Sequence, residues 1–162
     1  MNQTHVHLLI NHLPIFGSIL GGLVLGHGIL TRSFQTKIAA YNVLVISSVA
    51  AVIAYLTGEA AEETVENIQG ISKSMLEQHE DASQYALIAL IILGLFSLAG
   101  LYFTSKNSSF TRGLAWITLF LSLVSFSIIM RTGYLGGQIR HTEINSTAPI
   151  IIQDQDGEQE HD

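Results

Sequence analysis

No cysteine occurs in the 162 residues. That excludes disulfides, thiolate metal sites, iron–sulfur clusters and covalently attached haem. Charge is also scarce: 12% of residues are Asp, Glu, Lys or Arg, roughly half the share of an ordinary soluble domain. Seven basic residues stand against thirteen acidic ones, so no cationic surface for nucleic acid is available. No basic region precedes the first apolar run and no small-residue cleavage site follows it. The N-terminal segment therefore reads as a retained helix, not a signal peptide. Phosphate-binding loops, His-Glu-x-x-His and Gly-x-Ser-x-Gly are missing as well.

Apolar side chains fill the space that charge leaves, at 48% of the chain. They gather in four runs, residues 8–30, 38–56, 85–103 and 113–130, none holding Asp, Glu, Lys or Arg. Each has the length that carries a helix across a hydrocarbon core of about 30 Å. Backbone groups in lipid are satisfied only by helices or closed barrels, and period-two alternation is absent, so helices are expected. The fold class predicted is all-α: an integral membrane four-helix bundle with an extracytoplasmic amphipathic helix between spans 2 and 3. Residues 1–143 form the membrane domain, and the acidic tail 144–162 is expected to be flexible or docked on a partner.

Two connections, 31–37 and 104–112, are short and make antiparallel neighbours. They carry Arg32, Lys37, Lys106 and Arg112 and no acid, whereas all thirteen acids lie in 59–81 and 143–162. The positive-inside rule puts the short loops in the cytoplasm. Both termini and the long acidic loop are then extracytoplasmic, in a bacterial inner membrane. Residues 58–84 read as a helix, a turn at Gly70, and a further helix starting near Ser72 that runs through His79 into the third span. In the first span, Gly17-x-x-x-Gly21 and Gly22-x-x-x-Gly26 are small-residue pairs pointing in two directions, which predicts close neighbours on two sides. Pro14 should bend that helix and free a carbonyl about one turn earlier.

With this topology, six of seven histidines reach the outer side and only His27 lies toward the cytoplasm. His12, one turn inside the first span beside Asn11, reads as an axial haem ligand, a metal ligand or a proton relay. Its alternative is an interfacial histidine bonded to a loop carbonyl. His79, followed by Glu80 and Asp81, should sit at a similar depth, so His12 with His79 forms a candidate ligand pair; otherwise it is a first-turn residue among exposed acids. His141 follows the diglycine Gly136-Gly137 with Glu143 near to orient it, unless the stretch is only a helix-ending turn. Glu59, Glu62, Glu63 and Glu66 form a stripe at i, i+3, i+4, i+7. That is either a solvated acidic face or, for Glu59 and Glu63, part of a cation or arginine site. Arg131 and Arg140 are candidates to neutralise a glutamate or hold a haem propionate, with snorkelling as the plainer reading of Arg131.

Asn11-His12-Leu13-Pro14-Ile15, Thr57-Gly58-Glu59-Ala60, His79-Glu80 and Gly133-Tyr134-Leu135-Gly136-Gly137 together resemble a family of small bacterial "predicted membrane proteins". That family is a domain of unknown function, also found fused ahead of planctomycete-type cytochrome c domains. The resemblance spans roughly residues 5–143 and implies a redox or respiratory setting, with no activity to carry over. Three functions are weighed. The first is a haem- or metal-binding electron-transfer protein, with haem b or a transition metal as cofactor and a quinone or extracytoplasmic cytochrome as partner. The second is a structural or assembly subunit, in contact with other membrane subunits or a second copy of itself. The third is a proton or cation conductor, which the absence of any midplane carboxylate disfavours.

Overall fold

In a computed structural model, residues 3–65 and 73–140 are described, and within them the side chains of Gln3, Thr4, 59–65, Ile139 and Arg140 are not. The described residues are all-helical. Helices α1 (Gln3–Ile10) and α2 (His12–Leu30) make the first membrane pass. α3 (Phe34–Val65), α4 (Lys73–Ser105) and α5 (Thr111–Arg140) make the other three. Four segments are long and apolar enough to cross a bilayer: His5–Leu30, Phe34–Gly58, Lys73–Ser105 and Thr111–Gln138. The chain is a multi-pass membrane protein with lipid around its helices.

α3 has 32 residues and α4 has 33. At about 1.5 Å per residue each approaches 50 Å, longer than a hydrocarbon core of about 30 Å. The excess is polar and lies at one end. There α4 begins with exposed Glu77, Gln78, Glu80 and Asp81 before its apolar run starts at Tyr85. The segment expected as an amphipathic helix after the second span is, as far as Val65, a direct continuation of α3. The helix anticipated from Ser72 through His79 into the third span is α4. Gly70 and Ser72 lie outside the described residues.

Proline 14 leaves its mark on the first pass one turn earlier. Without an N–H it cannot bond the Ile10 carbonyl, so the helical bonding is interrupted at Asn11, between α1 and α2, while Asn11 itself keeps helical angles and donates to the His7 carbonyl at 2.9 Å. α1 then packs on α3.

In lipid the hydrophobic effect gives no preference for helix–helix over helix–lipid contact, so close packing and hydrogen bonds hold the bundle. Both are visible. Gly17 and Gly21 lie against Ser47 and Leu44 of α3, while Gly22 and Gly26 lie against Ser122 and Leu119 of α5. The two glycine pairs thus serve two neighbours, as their spacing predicts. A Cβ on Gly21 would sit 2.6 Å from Leu44 Cδ2. Buried hydroxyls link the helices. Ser47 donates to the Pro14 carbonyl at 3.1 Å, Ser48 to that of Leu90, and Ser125 to that of Ala89 at 3.2 Å. Leu25, Ala40, Tyr41, Leu44, Leu90, Leu93 and Ala115 fill the space between. Gly100 leaves room for the Tyr41 ring.

Candidate functional site

Two histidines reach across helix boundaries at the end where α3 and α4 project. His7, on α1, has its Nδ1 2.8 Å from the carbonyl oxygen of Ala54 on α3. His79, on α4, has its Nδ1 3.1 Å from the carbonyl oxygen of Thr132 on α5. A carbonyl only accepts, so in both rings Nδ1 carries the proton and donates it. In the neutral imidazole Nε2 is then the nitrogen with the free lone pair. This is the tautomer that metal-ligating histidines adopt when a backbone carbonyl orients them.

The local sequence explains both contacts in the same way. Four residues after Ala54 stands Gly58, and four residues after Thr132 stands Gly136. On a helix, i and i+4 share a face, so each glycine opens the surface over the carbonyl that accepts. A Cβ at Gly58 would lie 3.4 Å from His7 Cε1, and one at Gly136 would lie 2.9 Å from His79 Cε1. At Gly136 the imidazole fits only because the side chain is missing. Thr132 ties the second contact further. Its own hydroxyl donates back to the Ala82 carbonyl on α4 at 3.1 Å, so α4 and α5 exchange bonds in both directions within one turn.

The two rings lie at the same end of the bundle, on different helix pairs. Both are half-buried, and Gln138, near the end of α5, is buried. Asn11, at the break between α1 and α2, has a buried Oδ1 with no hydrogen-bond partner.

The sequence candidates distribute unevenly around this pair. His79 is in it. His12 is on α2 with an exposed side chain, and His7, not among the sequence candidates, is the other histidine bonded across helices at this end. The signal that could have found His7 is the pairing of a histidine on one helix with small-x-x-x-Gly on another, Ala54-x-x-x-Gly58. Glu80 and Arg131 are exposed. Glu59, Glu62 and Glu63 belong to α3, and Arg140 ends α5, but their side chains are outside the described set; Glu66, His141 and Glu143 are outside the described residues altogether. Among the described residues, no three His, Asp or Glu side chains gather in a metal-binding group.

The family model described as "Predicted membrane protein (DUF2231)" matches residues 4–144. The chain belongs to this family. The match takes in both imidazoles, both carbonyl–glycine notches and all four passes. No curated protein and no solved structure matches the chain.

Proposed function

We propose that this membrane protein of the DUF2231 family holds a redox-active metal centre, a haem iron or a transition-metal ion, at the His7–His79 end and passes electrons there. The observation that carries the reading is the tautomer: two imidazoles at one end of the bundle, from α1 and α4, each anchored through Nδ1–H so that the neutral ring keeps its lone pair on Nε2. The donor set fits such a group, since neutral imidazole ligates haem iron and copper alike. When bound, the centre would supply one-electron chemistry. The protein's own contribution is orientation. Each ring is held by one carbonyl and a glycine notch, which limits rotation and, in the neutral imidazole, puts the proton on Nδ1. His141, Glu59, Glu63, Glu80, Arg131 and Arg140 are the remaining candidates to complete the site or balance its charge. With the acidic loop and termini extracytoplasmic, the electron partner is a quinone in the outer leaflet or an extracytoplasmic cytochrome.

A second reading rests on the same bonds. His7 and His79 each join two helices, as Ser47, Ser48, Ser125 and Thr132 do. The imidazoles then act only as packing clips in a structural or assembly subunit.

The two readings part in one measurement. Protein purified from its native membrane is expected to show haem absorption or about one metal ion per chain. His7→Ala and His79→Ala should each lose it while helical circular dichroism is retained. A colourless protein without stoichiometric metal leaves the packing role alone.

A further inference from the structure

At the opposite end of the bundle, α4 ends at Ser105 and the chain turns back through 106–110 into α5. Asn107 makes the reversal in the left-handed region, at φ 51°. A groove of about 510 Å3 opens beside this turn, lined by Phe103, Ser109, Phe110, Gly113, Leu114 and Ile117. The Phe103 and Phe110 rings stand edge to face at 6.3 Å and build one wall. Phe110 is 72% exposed. Lys106 and Arg112, both exposed, flank these residues in the chain, and no acid occurs in 104–112.

A groove with apolar walls, in a turn that also carries two exposed cations, matches a ligand with an apolar tail and an anionic head. Cations beside a membrane favour anionic lipids by about 1 kcal/mol each. We infer that this groove binds an anionic phospholipid, with an acyl chain against Phe103, Leu114 and Ile117 and the headgroup phosphate against Lys106 and Arg112. The site is independent of the imidazole pair, at the other end of the molecule.

The chain carries its own probe. Trp116 is its only tryptophan, is 50% exposed, and sits one position before Ile117 and one turn after Gly113. The full chain is reconstituted in phosphatidylcholine vesicles containing a small fraction of phosphatidylglycerol or phosphatidylcholine with brominated acyl chains. Brominated phosphatidylglycerol should quench Trp116 at a several-fold lower mole fraction, since 1 kcal/mol is about fivefold per cation. Two variants should abolish the difference. Lys106→Gln/Arg112→Gln removes the two cations of this turn. Gly113→Leu fills the groove, and nothing lies within 4 Å of a Cβ there, so the fold should tolerate it. Arg32→Gln/Lys37→Gln, which removes the cations of the other short loop, should keep the preference. Equal quenching by the two lipids overturns the inference. So does a preference that survives Gly113→Leu, or one that falls equally with the Arg32/Lys37 pair, because either result means diffuse attraction to the whole face.

Discussion

A histidine that donates to a helix carbonyl needs a gap in the side-chain layer of that helix. Gly58 and Gly136 supply the gaps over Ala54 and Thr132. Adding one methyl group should therefore act through the ring it touches. Gly136→Ala would place Cβ 2.9 Å from His79 Cε1 and 3.3 Å from its Nδ1, tilting the imidazole off the Thr132 carbonyl. The expected loss is about 1 kcal/mol, one net hydrogen bond, together with any metal or haem bound at the pair. Gly58→Ala is milder, because its Cβ would meet His7 at 3.4 Å, ordinary contact. Thermal unfolding in detergent and metal content, measured on both variants, should rank Gly136→Ala as the more damaging. The reverse order would mean that the notch over Thr132 does not hold His79.

Between elements, the balance is set by small residues. α2 is clamped between α3 and α5 through opposite faces. A branched side chain on either glycine face pushes helices apart against a packed interior, and overpacking costs about 1–3 kcal/mol. Gly21→Val is expected to fall in that range, since its Cβ would already overlap Leu44, whereas Gly113→Ala, with open space around it, should be neutral. Ser47→Ala removes the hydroxyl that joins α3 to the Pro14 carbonyl. Bonds of this kind in membrane bundles average about 0.6 kcal/mol, so a small loss is expected. Unfolding of the three variants by sodium dodecyl sulfate should reproduce this order. A Gly21→Val variant as stable as the parent would remove the close α2–α3 packing.

For the molecule as a whole, the loop charges predict which face looks outward. The chain is free of cysteine, so single cysteines report without a background. Glu77→Cys, on the projecting end of α4, should react in intact cells with a membrane-impermeant maleimide. Lys106→Cys, in the opposite turn, should react only after the membrane is opened. The opposite pattern reverses the sidedness and moves the proposed electron partners to the cytoplasm.

How much of this was legible in the sequence depended on the range of the interaction. Spans, turns and the interrupted bonding one turn before Pro14 follow from local facts: runs of apolar residues, short loops, a missing N–H. The two-sided role of α2 was also readable, because glycines four apart on one helix fix two faces whatever stands opposite. The imidazole pair was legible only by half. His79 could be placed at the polar end of α4, but the bond from His7 to α3 depended on which face α1 lays on that helix.

By itself the sequence determined a four-pass helical membrane protein with its polar chemistry at one end, because length, hydropathy and backbone satisfaction in lipid leave no other solution. The tertiary structure alone decided which histidine meets which carbonyl. That contact spans 47 residues for His7 and Ala54, and 53 for His79 and Thr132, and it is fixed by helix rotation and glycine gaps on neighbouring helices, which no local pattern specifies.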